Sequence, residues 1–207
     1  MLQAHAVECI RGDRTLFTGL NLSLDAGQLL HLHGPNGSGK TSLLRMLCGL
    51  VAPAAGDITW NGLPIRAQRD EFNACLTYIG HHGGIKEELS ALENLQFAAA
   101  LSGNPVSEAA ALEALDAMGL RGREDLPAKV LSQGQKRRVA LARLHLSRAA
   151  LWILDEPFVA LDKAAVGELE SLIGRHLDRG GSAIMTTHQS VAFTGRELAH
   201  LHLGHHA

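Results

Sequence analysis

Hydrophobic and polar residues alternate along the first part of the chain. Leu20, Leu22 and Leu24 are interleaved with Asn21, Ser23 and Asp25, the period-two pattern of a strand with one buried face. Residues 1–33 read as strands, with a turn at Asp25-Ala26-Gly27 and a mostly apolar run from Gln28 to His33 that stops at Gly34. The period then changes. From Lys40 onward, Leu43, Leu44 and Leu47 share one helical face, and Gly49 stands near the predicted end. A short strand, Asp57–Trp60, is closed by the turn Asn61-Gly62, and another strand is read at Leu76–Ile79.

From about Ser90 to Ser147 a helical pattern prevails. Ser107 can cap a helix whose apolar residues Ala111, Leu112, Leu115 and Met118 end at Gly119. Lys136 to Leu146 is a basic helical stretch. Strand character returns at Leu151–Leu154 and Ser182–Thr186, with a helix from about Lys163 to Leu177 between them and a last strand-like run at Leu198–Leu203. The pattern therefore predicts an α/β body interrupted by a helical insert. It forms one domain over residues 1–207, with the helical subdomain at about 85–147.

Composition narrows the class. At 46% hydrophobic and 19% charged residues, the chain is neither disordered nor collagenous. A net charge of −2 argues against an electrostatic footprint for nucleic acid or acidic lipid. The longest purely apolar run, Ala149 to Leu154, is far short of the roughly 20 residues of a membrane-spanning helix. No basic cluster precedes an apolar run near Met1, so no signal peptide is expected. Cys9, Cys48 and Cys75 form no Cys-x-x-Cys pair. They read as small buried residues of a reducing compartment rather than a zinc site or disulfide framework.

The chemistry starts where the third strand ends. Gly34-Pro35-Asn36-Gly37-Ser38-Gly39-Lys40-Thr41 matches G-x-x-x-x-G-K-[ST] in full, with an apolar strand before it and an amphipathic helix, beginning Lys40-Thr41-Ser42, after it. Glycines let successive backbone N–H groups turn inward onto phosphate oxygens, and the helix N-terminus adds positive potential. Lys40 would sit on the β- and γ-phosphates, and Thr41 would offer its hydroxyl to Mg²⁺. Leu151-Trp152-Ile153-Leu154-Asp155-Glu156 is an apolar strand ending in two carboxylates. Ligands collect at the carboxyl ends of parallel strands. Asp155 would thus face Mg²⁺ through water, and Glu156 would act as general base on the attacking water.

A third motif selects among nucleotide hydrolases. Leu131-Ser132-Gln133-Gly134-Gln135 lies just before the basic helix, Ala160-Leu161-Asp162 follows the acidic strand, and Thr187-His188 ends the next one. In this order the set resembles the signature, D-loop and switch histidine of ABC ATPases. That resemblance implies a P-loop NTPase with a RecA-like α/β core, N-terminal antiparallel strands and a helical signature subdomain. It also implies two cassettes packed head to tail with ATP between them. Each nucleotide would be held by Lys40 and Thr41 of one copy and by Ser132 and Gly134 of the other. His188 would contact the γ-phosphate, and Asp162 would link the two sites.

The chain departs from the family pattern at several points. His81, followed by His82, stands where many relatives have a coupling-loop Gln. Arg11 is the candidate for adenine stacking where an aromatic is usual. Gln133 replaces a commoner Gly.

Within the family, Arg14-Thr15-Leu16-Phe17, the stretch Gly80-His81-His82-Gly83-Gly84-Ile85-Lys86-Glu87-Glu88-Leu89-Ser90-Ala91-Leu92-Glu93-Asn94-Leu95, and Leu131 to Leu144 resemble the CcmA subfamily, the ATP-binding subunits of cytochrome c maturation. The resemblance implies a peripheral protein on the cytoplasmic face of the bacterial inner membrane. Its partner would be an integral CcmB-like subunit, with CcmC, CcmD and CcmE nearby, and ATP would power heme export or release of a heme-loaded chaperone. Heme itself would be handled by the partners. Two alternatives stay open: the ATPase of another transporter with a different substrate, and a soluble ABC ATPase of iron–sulfur assembly type. The run His200-Leu201-His202-Leu203-Gly204-His205-His206 reads as a solvated C-terminal tail, with His200 and His202 on one face of a strand and able to bind metal in vitro.

Overall fold

The computed structural model describes residues 1–188, Phe193 and residues 198–204. Two sheets organise it. The first is antiparallel and starts with the two longest strands, β1 (Leu2–Arg11) and β2 (Arg14–Leu24), whose Leu2 pairs with Leu24. β4 (Ala55–Trp60) pairs with the other edge of β1, and β5 (Leu63–Pro64) closes the order β2-β1-β4-β5. The Asn61-Gly62 turn stands between β4 and β5, and both of its residues have positive φ, as a tight hairpin of primed type demands.

The second sheet is parallel, in the order β6-β7-β8-β3-β9. Its members are β3 (Leu29–His33), β6 (Leu76–Ile79), β7 (Leu151–Asp155), β8 (Ser182–Thr186) and β9 (Ala199–His202). All five residues of β7 and of β8 are buried, because helices or the other sheet cover both faces. Alternate side chains enter different cores. Trp152, Leu154, Ala183 and Met185 join one cluster with the helical region. Leu151, Ile153 and Ile184 join another with the antiparallel sheet and helix α1 (Lys40–Leu47).

A short helix α2 (Arg69–Ala74) precedes β6, and three α-helices separate β6 from β7: α3 (Ala91–Leu101), α4 (Glu108–Ala117) and α5 (Gln133–Leu146). Ser90 and Glu93 form a reciprocal capping box on α3, and Ser107 caps α4 as expected. Helix α5 begins at Gln133, three residues before the basic run that predicted it. Its N-cap is Ser132, which closes a second capping box with Gln135. Ser132 therefore stands at the helix N-terminus, and Gln133, Gly134 and Gln135 form the first turn. Helix α6 (Lys163–Asp178) is capped by Asp162 and returns the chain to β8. Cys9 and Cys48 are buried, Cys75 is half-buried, and all three are free thiols. Among the described residues, no helix is long and apolar enough to cross a membrane.

The strand-like run read at Leu198–Leu203 is β9, paired in parallel with β3, and His200 and His202 lie exposed on it. The run is thus tied into the sheet by backbone hydrogen bonds rather than hanging free as a tail. His205 and His206 lie outside the described residues.

Candidate functional site

The carboxyl ends of β3, β7 and β8 meet at one end of the parallel sheet. A cleft of about 540 Å³ opens there. Asn36, Gly37, Gly39, Lys40, Thr41, Ser42, Asp155, Glu156 and His188 line it, together with Arg11 and His81. Asn36 and His188, 152 residues apart in the chain, are brought together because parallel crossovers deliver successive strand ends to one side.

The phosphate loop leaves β3 at Gly34, whose backbone has φ +148; a Cβ there would stand 2.6 Å from the Leu203 carbonyl oxygen and from Ser38 Oγ. Only glycine fits so close an approach. Gly39, with φ +99, enters α1 beneath Phe17, 3.0 Å from where a Cβ would lie. Phe17 is thus a buried prop under the loop. Lys40 Nζ donates to the carbonyls of Gly34 at 2.6 Å and Pro35 at 3.1 Å. Its ammonium is held over the loop it would share with phosphate. Ser38 Oγ is buried without a hydrogen-bond partner.

Asp155 is held from two sides. Thr41 Oγ1 donates to Oδ2 at 2.9 Å and Thr186 Oγ1 donates to Oδ1 at 2.8 Å. Thr41 and Asp155 thereby present hard oxygens side by side, the donor set a hydrated Mg²⁺ takes through one or two protein groups. Glu156 has φ 51, in the left-handed region. Such a conformation costs a non-glycine residue on the order of 1–3 kcal/mol and persists where neighbours hold it. Its N–H donates to Thr186 Oγ1 at 2.9 Å, so one threonine orients both acids. His188 Nε2 stands 3.4 Å from Glu156 Oε1, with the His188 side chain exposed to the cleft.

Arg137 was not among the residues singled out by sequence. It lies on the buried stripe of α5 with Ala140, Leu141 and Leu144. A cation at i of an apolar i, i+3, i+4, i+7 stripe is the signal that could have found it. Its guanidinium donates to the carbonyls of Gly80, Asp155 and Glu156 at 2.9, 2.8 and 2.8 Å. Burial pulls its pKa below the ordinary arginine value, opposed by the nearby Asp155 and Glu156 carboxylates. Thr186 was missed as well, because a threonine inside an apolar strand carries no motif.

The signature residues and Asp162 fall outside this cluster. Ser132 is exposed at the start of α5, its Oγ accepting from Gln135 N at 3.2 Å. The hydroxyl hydrogen stays available to a ligand. Gly134 packs on the Ala160 carbonyl, where a Cβ would come within 2.8 Å. Leu131 is buried beneath them. Asp162 is engaged within its own chain, accepting from Ala165 N at 2.9 Å and pairing with Arg138 at 2.6 Å. Arg11 and His81 are exposed on the cleft wall.

A family model described as ABC transporter matches residues 17–159. The chain is 57% identical to the cytochrome c biogenesis ATP-binding export protein CcmA of Dechloromonas aromatica, over 99% of this chain and 100% of that protein. The protein of the same name from Nitrosospira multiformis is 54% identical over 98% of both. Among solved structures, an ABC transporter ATP-binding protein from Pyrococcus furiosus superposes with a TM-score of 0.82 at 25% identity, covering 98% of this chain and 96% of that one.

Proposed function

The chain belongs to the ABC transporter family, and on that premise we propose that it is the ATP-hydrolysing subunit of an export complex serving c-type cytochrome biogenesis. The observation that carries the enzymatic part is the meeting of Lys40, Thr41, Asp155, Glu156 and His188 in one cleft. The biological assignment follows the near full-length similarity to the CcmA proteins.

The chemistry follows from the geometry. The loop from Gly34 to Thr41 cradles the β- and γ-phosphates, with backbone N–H groups and the α1 N-terminus supplying positive potential. Lys40 leaves its loop carbonyls for the phosphates. Thr41 and, through water, Asp155 would hold Mg²⁺, which supplies charge neutralisation to the phosphate oxygens. Glu156 accepts a proton from the attacking water. The water oxygen bonds to the γ-phosphorus, the bond to the β,γ-bridging oxygen breaks, and ADP and inorganic phosphate result. His188, beside Glu156, holds the carboxylate and the γ-phosphate in line.

Ser132 is exposed at the start of α5, and in our reading it and Gly134 complete the γ-phosphate site of a second copy, with Asp162 near the seam. Arg11 covers the adenine by guanidinium stacking, and His81 links the cleft to the helical region through the Gly80 carbonyl held by Arg137. The membrane partner would be an integral CcmB-like subunit at the inner membrane, with heme handled by partners.

The test has two parts. The purified chain should hydrolyse ATP, and Glu156→Gln should bind ATP without turnover. The parent chain, but not this variant, should restore c-type cytochrome formation to bacteria lacking their own CcmA. Normal ATP hydrolysis without such restoration would discard the biological assignment and keep the enzymatic one.

A further inference from the structure

β3 and β9 each carry the pattern His-x-His, and they pair in parallel with His31 opposite His200 and His33 opposite His202. Side chains two apart on a strand share a face, and paired strands run about 4.8 Å apart. Four imidazoles therefore make a two-by-two array at the sheet edge. The ring centroids of His31 and His33 are 3.7 Å apart, those of His33 and His200 5.0 Å, and His33 stacks on His202 at 4.7 Å. His33 Nε2 and His200 Nδ1 stand 2.8 Å apart, sharing one hydrogen. His31, His33 and His200 each offer a ring nitrogen within 4.8 Å of the other two.

We propose that His31, His33 and His200 form a binding site for a divalent transition-metal ion of the zinc class, separate from the nucleotide cleft. Imidazole nitrogen is the ligand type this class prefers. Zn²⁺ takes nitrogen at about 2.0–2.1 Å, so three tetrahedral ligands stand roughly 3.3 Å from one another. The separations here bracket that spacing, and rotation of the exposed His200 closes the difference. The shared hydrogen between His33 and His200 is displaced as the ion enters. His202 or water supplies the fourth position.

Two features prepare the site. The Thr187 carbonyl accepts from His31 Nε2 at 3.3 Å, fixing that ring as an outer-sphere carbonyl does in built metal sites. Burial and the neighbouring imidazoles hold His33 down to about 4, and burial lowers His31. Both rings are then neutral at physiological pH, the form that binds metal. The site also has a rim: His33 adjoins Gly34, and Thr187 adjoins His188.

Zn²⁺ and Co²⁺ titrations of the full chain test the proposal. His205 and His206 are changed to Ala together in the starting protein, so that the terminal pair does not contribute. This protein should bind one Zn²⁺ per chain, show the intense visible bands of tetrahedral Co²⁺, and gain thermal stability with Zn²⁺. His200→Ala, an exposed edge change, and His33→Gln should each weaken Zn²⁺ binding by more than about 100-fold, beyond the loss expected of an outer-sphere change. Unaltered Zn²⁺ affinity in either variant would overturn the site. Loss of all binding on changing His205 and His206 alone would assign the metal to the tail and overturn it too.

Discussion

One terminal nitrogen of Arg137 donates to the main-chain carbonyls of both Asp155 and Glu156, each at 2.8 Å. Arg137 sits five residues after Ser132 on the same helix. The helix that presents the signature is thus bolted to the backbone of the two acids that handle water and phosphate. Its third bond, to the Gly80 carbonyl, brings in the segment leading to His81. A displacement of α5 cannot leave Glu156 where it was.

Arg137→Met should therefore be costly in both stability and rate. The stem is replaced, but three carbonyls lose a charged donor, and removing one partner of a buried charged hydrogen bond costs about 1.5–3 kcal/mol or more. Chemical denaturation should show a loss of that size. The kcat should fall while ATP affinity, set by the phosphate loop, changes little. Equal losses in kcat and in ATP affinity would show that Arg137 supports the whole cleft rather than the acids.

Glu156→Gln should lower kcat by about a hundred- to ten-thousand-fold, because a carboxamide accepts no proton from water. ATP binding should persist, measured by equilibrium dialysis. His188→Ala should lower kcat with a smaller change in binding. Hydrolysis at the parent rate in Glu156→Gln would remove Glu156 from the role of base. Lys40→Ala, in contrast, should lose ATP binding itself.

Thr186→Val keeps the shape of β8 but removes the hydroxyl that donates to Asp155 Oδ1 and accepts from Glu156 N–H. A buried group left unsatisfied costs about 1–3 kcal/mol. The variant should be destabilised by that amount. It should also require more Mg²⁺ for half-maximal hydrolysis, since Asp155 loses one of its two orienting donors.

Stability should fall as pH drops from about 6.5 to about 4. His33 titrates near 4 in the folded chain against an ordinary value of 6.5, and His31 is also lowered, both chiefly by burial. Between those values the unfolded chain binds protons that the folded chain refuses, so acid favours unfolding. Above the upper value both states are neutral and these groups leave no slope. Thermal melts across this window should steepen in the parent and flatten in His33→Gln. An unchanged slope would show that the array does not govern the acid response.

Much of the fold and site was legible because local chemistry is written locally. The left-handed turns and inward N–H groups of the phosphate loop need Gly34, Gly37 and Gly39 at fixed offsets from Lys40. A strand that ends in Asp155-Glu156, and a helix capped by Ser107, announce themselves within a few residues. Arg137 and Thr186 left no such mark. Their partners lie 18 to 57 and 30 to 31 residues away, and only the parallel crossovers place them at one sheet end.

The histidine array divides along the same line. Alternation along a strand already put His200 and His202 on one face, and the same rule holds for His31 and His33. That these two pairs face one another across 167 residues depends on β9 returning beside β3 in parallel register. Period and turn chemistry act between neighbours in the chain, so they are readable without a fold. Strand order and register are set by which buried faces pack together, and that balance exists only in the folded molecule.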